Sequence, residues 1–453
     1  MAGLFASLSM AARSLEAQRA GLDVAGQNIA NLNTPGYTRR RLALAEVVNG
    51  TGGVEVQGTR ALRDRVLDGR VRTAIPDESR EGAIKDTLAL VETAIGAPGQ
   101  GLDGQLAAYF DAFAALSLDP TSTVARDGVI QQGRQLATAF NATAARLADS
   151  VRVADNGVRD SAVQVNALAK QIAALNDAIA AANGVDVDAL KDRQNLALEE
   201  LSGLTQVAVL SRSDGGVDVT IPSGRALVIG GSPYGVTVGT SPGGLATLSL
   251  GGADITAEIT NGKIGGLLHA RDTQIPAYQT KLDELAYGVA TEVNTLHQGG
   301  FDLNGNAGAA FFTPPAAVAG AAAAFSVSAA LIGNPSLVAA SQSGAPGDNQ
   351  VAKALAALRN QPVLNGGTAT FNEGWAELAY AVGSDADAAR AEQGSRQDVL
   401  GQVQRLRDQV SGVSLDEEAA SMMKFQRAYE ANAKYFSAVD SMLLTLMRAV
   451  GGV

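Results

Sequence analysis

The sequence predicts a mainly α-helical protein with a β insert: a long helical rod of paired N- and C-terminal helices that carries a small β-rich outer domain. Three patterns predict this class. Apolar residues at both chain ends recur in steps of three and four, a helical pattern runs over 122–183, and residues 206–270 often alternate apolar and polar side chains. Steps of three and four are typical of helices that pack on a partner helix, whereas alternation is typical of strands.

The N-terminal element is predicted as a helix with an apolar seam, followed by a turn. The helix ends before Pro35 because the residue before a proline is excluded from the helical region, and Pro35-Gly36 suits the central positions of a type II turn. The seam consists of Leu4, Leu8, Leu15, Leu22, Ile29 and Leu32. Its period of 3.5 residues is that of a coiled coil, so a partner helix is expected.

The next part of the chain is predicted to change from extended structure to a helical rod. Short alternating stretches in 43–75 indicate a hairpin or linker, and helical patterns begin near Glu81. Breaks at 96–99 and 119–120 precede the longest helix, which is expected over 122–183. About 60 residues, at a rise of about 1.5 Å each, make a rod of roughly 90 Å.

Composition changes after this helix. Residues 206–270 combine alternation with recurrent Pro and Gly turns, which indicates a small β-rich domain. A helix follows over 271–297, with its apolar residues on one face. The helical rod therefore continues on the far side of the β insert.

The segment after this helix is rich in Gly, Ala and Pro over 299–348 and contains one candidate strand at 325–327. Short helices are expected over 349–360 and 371–381. A last long apolar pattern over 399–413 leads towards the terminal helix.

The C-terminal element repeats the pattern of the N-terminal one. Its seam consists of Met422, Phe425, Tyr429, Asn432, Phe436, Val439, Leu443 and Leu446. A single strongly polar seam residue, here Asn432, costs stability but fixes register. We therefore expect the two ends to form one coiled-coil-like terminal domain. The predicted division of the chain is 1–40 and 414–453 for the terminal domain, 41–205 and 271–413 for the rod, and 206–270 for the β-rich domain.

Composition excludes several classes of function. The 453 residues contain no Cys and two His, and 35 basic against 46 acidic residues give a net charge of −11. Thiolate chemistry and disulfides are excluded, and a general nucleic-acid binder is not expected, because phosphate binding needs clustered Lys and Arg. No apolar run approaches the roughly 20 residues of a membrane span, and no cleaved signal peptide is indicated.

The motifs that could carry chemistry are weak. Residues 99–104 fit G-x-G-x-x-G but follow a helix instead of a strand, so we interpret them as a loop. Residues 302–313 resemble a calcium loop but have Thr313 where a bidentate Glu is needed, so we favour an Asn/Gly turn and leave calcium open. His269 and His297 are too far apart in sequence for an i, i+4 metal pair. No catalytic residue, cofactor site or metal site is predicted.

Charged runs near the two ends are interpreted as solvated surface. This interpretation covers the three arginines at 39–41 and the glutamate pairs at 199–200 and 417–418.

Both ends resemble the bacterial flagellar rod, hook and hook-associated proteins. The N-terminal resemblance is carried by Asn28, Ile29, Ala30, Asn31, Thr34, Pro35, Gly36 and Tyr37. At the other end it is carried by the Ser-Gly-Val-Ser-Leu-Asp-Glu-Glu run at 411–418 and by residues 425–433, and residues 261–272 add a looser match. The family is identified from the pair of end motifs, which together cover roughly 80 residues.

The resemblance implies a structural, non-enzymatic role in the flagellum, between the hook and the filament. It implies export through the flagellar type III apparatus, self-assembly, and neighbours that include the hook protein and the third hook-associated protein. It also implies an export chaperone that binds the C-terminal region. Two alternatives remain at this stage: another axial protein, such as a hook or rod protein, and a secreted enzyme carried on an axial scaffold.

Overall fold

In the computed structural model, residues 2–47, 52–96, 99, 101–182 and 187–450 are described. Ten α-helices follow one another along these residues, with a β-rich region between the fifth and the sixth. The helices are α1 (Ala2–Ala30), α2 (Arg65–Ile95), α3 (Leu102–Leu118), α4 (Thr123–Ala181), α5 (Val187–Leu204), α6 (Gly262–His269), α7 (Ile275–Gln298), α8 (Gln350–Ala357), α9 (Phe371–Ser411) and α10 (Leu415–Val450).

All strands pair antiparallel. β1 (Arg40–Glu46) and β2 (Val54–Ala61) form a two-stranded ribbon directly after α1. The β-rich region holds two small sheets, with strand orders β3-β4-β5-β6 and β7-β8-β9. These strands are β3 (Ala208–Ser211), β4 (Val217–Thr220), β5 (Ala226–Ile229), β6 (Ser232–Pro233), β7 (Val236–Thr240), β8 (Ala246–Leu250) and β9 (Ala253–Asp254).

The long helix α4 contributes residues to both hydrophobic cores. Its N-terminal half contributes Phe140 and Leu147 to a core shared with α2, α3, α7, α8 and α9. Its C-terminal half contributes Val158 and Val165 to a second core shared with α5, α6 and the β-rich region. Neither core includes a residue of α1 or α10. The terminal helices therefore form a separate packing unit among the described residues.

The β-rich region is held on α4 by Asn176, which is buried, and by Asn166, which is half-buried, as well as by apolar packing. Asn176 donates from Nδ2 to the carbonyl oxygens of Val217 and Gly230 at 2.8 and 2.6 Å, and its Oδ1 accepts from the N–H of Val217 at 2.9 Å. Asn166 bonds Val236 in the same way: its Nδ2 donates to the carbonyl oxygen of Val236, and its Oδ1 accepts from the N–H of Val236. The sheets thus lie along the rod and share its core.

The predicted fold class, a mainly helical rod with paired terminal helices and a small antiparallel β insert, is confirmed. The long helix was predicted over 122–183 and is observed at Thr123–Ala181, with the Ser122 hydroxyl accepting from the N–H of Ala125 as its N-cap. Local capping chemistry thus places its start within one residue.

Three local predictions were wrong. Residues 43–75 were predicted as a hairpin or linker, with helix from near Glu81, yet α2 begins at Arg65, capped by Asp64, and contains Pro76. The helix predicted at 371–381 is the first quarter of the continuous 41-residue α9. The candidate strand at 325–327 makes only a single bridge, from Val327 to Phe312. In the first two, tertiary packing along α2 and α9 overrides a local helix breaker or a weak periodicity.

No described helix contains an apolar stretch long enough to cross a membrane.

Candidate functional site at the paired terminal helices

α1 and α10 pack against each other as an antiparallel pair. Near one end of the pair, a small apolar cavity of about 90 Å³ is lined by Leu4, Phe5, Leu443, Leu446 and Met447. Further along, the ring of Phe425 lies against Gly21 so closely that a Cβ on Gly21 would sit 2.5 Å from a ring carbon. Only glycine permits this approach, because any side chain at that position would displace the ring.

The two family motifs meet at Asn28, whose side chain is fully buried. Its Nδ2 donates to the carbonyl oxygen of Arg40 at 2.9 Å and to Glu418 Oε2 at 3.1 Å. Its Oδ1 accepts from the N–H of Arg40 at 3.0 Å and from the Tyr37 hydroxyl at 2.8 Å. Every polar atom of this amide therefore has a partner, and the amide connects α1 to the turn, to β1 and to α10.

Arg39 completes the connection from the N-terminal motif to α10. Its Nε donates to Glu418 Oε1 at 2.7 Å, its Nη1 pairs with Glu417, and its N–H donates to the carbonyl oxygen of Ser411 at 2.9 Å. Glu418 is only 3% exposed, and both of its carboxylate oxygens have hydrogen-bond partners, Oε1 in Arg39 and Oε2 in Asn28. We call Asn28, Tyr37, Arg39 and Glu418 the terminal clasp.

A second charged layer joins the clasp to the rod. Asp192 of α5 accepts from Arg63 at 2.5 Å and lies 3.5 Å from Arg40. Burial raises the pKa of Asp192, although Thr38 and both arginines oppose that shift. Burial also raises the pKa of Tyr37, whose ring lies 5.2 Å from the Arg40 guanidinium carbon. The turn between α1 and β1 is thus fixed to both α10 and α5.

The turn has the geometry expected from its sequence. The N–H of Tyr37 donates to the carbonyl oxygen of Thr34 at 3.2 Å, and Gly36 has a φ of 76°. A positive φ at the third position defines a type II turn and favours glycine. A Cβ at Gly36 would also lie 3.3 Å from the Cβ of Leu196 in α5, so the turn packs directly on the rod.

The structure places the other motif residues at the surface of this junction. Asn31 bonds only locally, to Gln27 and Thr34. The remaining members are half-buried at Ile29 and exposed at Ala30, Thr34 and Pro35.

The predicted seam residues face the helix pair to different degrees. In α10, Val439 is buried, Phe425, Asn432, Phe436, Leu443 and Leu446 are half-buried, and Met422 and Tyr429 are 37% and 40% exposed. In α1, Leu4, Leu8, Leu15, Leu22 and Ile29 are half-buried and Leu32 is exposed. The buried face of α1 is made of smaller residues instead, namely Ala11, Ala17, Gly21, Val24, Ala25 and Asn28. Small residues lie there because α10 and the ribbon approach closely.

Much apolar surface of this pair stays uncovered in the single chain. All six methionines of the sequence lie in the terminal segments, four of them on α10. The exposed large apolar side chains of the pair are Phe5, Leu32, Leu415, Met422, Met423, Tyr429, Tyr435, Met442, Leu444 and Met447. Methionine is flexible and adapts to irregular partner surfaces, so this face is suited to protein contacts.

The C-terminal half of α9 continues this uncovered surface. The apolar pattern predicted over 399–413 is present, but Val399, Leu406 and Val410 are 41–48% exposed. Polar side chains face α2 instead, since Gln393 donates to Glu78 at 3.0 Å and other α9 residues form ion pairs with α2. We call Val399, Leu406 and Val410 the α9 stripe.

The charged residues of the clasp were missed by sequence reasoning, and two interpretations are corrected. The arginine run was read as a solvated face, but the side chains of Arg39 and Arg40 are only 12% and 16% exposed, and only Arg41 is exposed. The glutamates at 417–418 were also read as solvated, yet Glu418 is buried. Arg39 and Glu418 are 379 positions apart, so no local sequence pattern could predict that they form a pair.

Glu199 was likewise read as solvated, but it pairs with Arg407 of α9 at 2.9 Å, and burial raises its pKa. Its neighbour Glu200 is exposed, as expected.

The histidine and the Asp/Asn loop that were considered as candidate chemical groups have structural roles instead. His297 is fully buried and holds two backbone groups: its Nδ1 lies 2.6 Å from the carbonyl oxygen of Ala309, and its Nε2 accepts from the N–H of Ala339 at 2.8 Å. The carboxylate of Asp302 accepts from the N–H groups of Asn304 and Asn306, which forms the predicted turn. Among the residues that the structure describes, no group of three or more potential metal ligands occurs.

Both ends of the chain match families of flagellar proteins. Residues 8–38 match a family described as flagella basal body rod protein, and residues 408–449 match the C-terminal family of flagellar basal body rod proteins FlgEFG. These two matches coincide with the terminal helices and the clasp. The fold and this site therefore define a bacterial flagellar axial protein.

The remaining matches define the family. Residues 88–312 match the helical domain of flagellar hook-associated protein FlgK. Flagellar hook-associated protein 1 of Bacillus subtilis is 27% identical over 100% of this chain and 99% of its own length, and that of Escherichia coli is 24% identical over 97% and 99%. The flagellar hook junction protein FlgK from Burkholderia pseudomallei superposes with a TM-score of 0.67 at 18% identity, covering 76% of this chain and 100% of the other.

The chain belongs to the flagellar hook-associated protein 1 family. This family is a structural component of the flagellum at the hook–filament junction. The resemblance stated from the two end motifs is confirmed, and so is the expectation that the chain is not an enzyme.

Proposed function

We propose that this chain builds the junction between hook and filament by helical self-assembly through its terminal helices. The observation that carries the proposal is the apolar surface left uncovered on the terminal pair and on the α9 stripe. Water-exposed apolar area of this extent on neighbouring helices favours burial against further protein. A contact between the terminal pair of one copy and the α9 stripe of the next is heterologous, and repetition of such a contact generates a ring or a helix.

The predicted domain organisation of the chain supports this proposal. Residues 1–40 and 414–453 form the assembling domain, 41–205 and 271–413 the rod, and 206–270 the outer β-rich domain. The terminal helices take no part in the two hydrophobic cores, so they are free to repack against neighbours while the rod stays folded.

We infer the following partners from family membership. The chain contacts hook protein on one side and the third hook-associated protein on the other, and an export chaperone binds its C-terminal region before assembly. Export through the flagellar type III apparatus places it outside the cell. The exposed methionines of α10 suit a surface that binds a chaperone first and axial neighbours later, because methionine side chains adapt to different partners.

The direct test is to image where the purified chain binds on isolated hooks. The sequence has no cysteine, so a Ser223→Cys variant carries a single label, at an exposed position of the β-rich region. We expect label only at the distal tip of each hook, and we expect excess unlabelled chain to displace it. Label along the whole hook would instead indicate another axial protein, and absence of binding would refute the proposal.

A further inference from the structure

A cleft of about 630 Å³ lies where the ribbon, the rod and the β-rich region meet. Its walls come from the end of β2, the first turns of α2 and α5, and the β3–β4 hairpin. It includes none of the four clasp residues. Nothing in the family assignment or in the proposed assembly gives this cleft a role.

The cleft is strongly basic. Six cationic side chains line it, namely Arg60, Arg63, Arg65, Arg72, Lys191 and Arg212, against the two carboxylates Asp68 and Asp188. Asp188 also accepts from the N–H of Ala61 at 2.8 Å, and the lining side chains keep a net formal charge of +4. The cleft therefore concentrates positive charge between walls of low dielectric, which strengthens its attraction for anions.

Three of these cations have no partner of their own. Arg63 pairs with Asp192, and Arg212 pairs with aspartates of its own hairpin. Within the described ranges, the side chains of Arg60, Arg65 and Lys191 make no hydrogen bond or ion pair. Together they offer charged donors from the ribbon, from α2 and from α5 around one space.

Glycine forms part of the cleft wall beside Lys191. Gly215 has a φ of 87°, which favours glycine, and a Cβ there would lie 3.2 Å from Ile179 and 3.7 Å from the end of the Lys191 side chain. Arg72 on the inner wall is half-buried, and burial, together with the nearby Arg63, lowers its pKa against the opposing effect of Asp68 and Glu199. A charge-assisted hydrogen bond formed in such a place is stronger than one formed in open water.

We propose that this cleft binds a multivalent oxyanion, held by Arg60, Arg65 and Lys191. Phosphate and clustered carboxylates share this chemistry, so the anion is either a free phosphate or the acidic side chains of a second copy of the chain. The second source is available because residues 76–453 contain 40 acidic and 25 basic residues. An anion bound there clamps the ribbon and the β-rich region onto the rod. This inference does not depend on the terminal helices or on their proposed assembly.

The test is calorimetric titration of the full chain with sodium phosphate and, separately, with a hexaglutamate peptide, each at an ionic strength matched with sodium chloride. The test variant is Arg60→Gln/Arg65→Gln/Lys191→Gln, which removes three cations that make no described side-chain bond. The matched control is Arg134→Gln/Lys170→Gln/Lys353→Gln, which removes the same charge from exposed helix positions.

We expect the native chain and the control to bind at least one of the two titrants, and the test variant to bind it at least about tenfold more weakly. Binding of phosphate would show that a small free anion is sufficient to occupy the cleft. Binding of the peptide alone identifies acidic side chains as the source. The proposal is overturned if neither titrant binds the native chain, or if the test variant binds as tightly as the control.

Discussion

Asn28 shows how one buried amide can connect parts of a chain that are far apart in sequence. Its two donors and its acceptor oxygen are all used, and the partners lie on the turn, on β1 and on α10. Removing such a group leaves several buried polar atoms without partners, which costs more than the bonds themselves contribute. The clasp is thus the point at which the terminal pair is fixed to the rod.

We expect Asn28→Ala to loosen the terminal pair by about 2–4 kcal/mol, because Glu418 and the Arg40 backbone would lose their partner in a buried place. Hydrogen exchange measured by mass spectrometry should show faster exchange in α1 and the start of α10, while α4 stays protected. Asn31→Ala is the matched control, since Asn31 bonds only within its own turn. Equal exchange in the two variants would contradict the role given to Asn28.

His297 should make the rod sensitive to acid. Burial lowers its pKa to about 4 from an ordinary value of 6.5, so the unfolded chain binds the proton more tightly than the folded chain. Stability is therefore complete above about pH 6.5 and is lost as pH falls towards 4, by about 3 kcal/mol for this shift. Protonation at Nε2 would remove the acceptor that the N–H of Ala339 needs.

Denaturant unfolding of the native chain and of His297→Gln, measured between pH 7.5 and 4, checks this expectation. The glutamine variant should be less stable at pH 7.5 and should lack this part of the pH dependence. A variant that loses stability on acidification as steeply as the native chain would show that other groups are responsible. Motility should survive changing both His269 and His297 to Gln wherever the variant still folds, because neither is given a chemical role.

At the scale of elements, the sequence predicts best what local chemistry determines. The ends of α4 follow from its Ser122 cap and from an unbroken apolar period. The start of α2 was missed because short alternating stretches in 43–75 were interpreted as a hairpin or linker, whereas packing against α9 stabilises a helix from Arg65 onwards, through Pro76. The pairing of Arg39 with Glu418 was unpredictable for a related reason: a tertiary contact leaves no pattern in the residues around either partner.

In the α9 stripe, the sequence pattern predicts a buried face, but the side chains are exposed. Its spacing is that of a helix with a partner, yet its side chains face water in the single chain. We expect Leu406→Glu to change the free energy of unfolding by no more than about 0.5 kcal/mol, since this side chain is already 41% exposed. The same variant should incorporate poorly at the hook tip, because a carboxylate would be buried there without a partner.

Thermal unfolding and a count of labelled hook tips measure these two effects. Val153→Glu is the control, as Val153 is a similarly exposed apolar residue on α4. If Leu406→Glu incorporates as well as the control, the stripe is ordinary surface and has no place in the assembly.

At the scale of the molecule, the rod and the terminal pair are two packing units joined by the clasp and its second charged layer. The rod carries both cores and the β-rich region, and the pair carries ten of the 27 exposed large apolar side chains among the described residues, eight of them on α10. This separation allows a change in the terminal helices to affect assembly without affecting the folding of the rod. The central claim of this account is that the terminal pair, together with the α9 stripe, makes the principal contacts in the junction.

The most direct test of that claim is Leu443→Asp. Leu443 lies beside Leu4 and Leu446 at the end of the pair away from the clasp and belongs to neither core. We predict that the thermal unfolding of the rod, followed by circular dichroism, is unchanged, while incorporation at the hook tip fails. A variant that assembles normally, or a rod that unfolds at a lower temperature, would contradict the account.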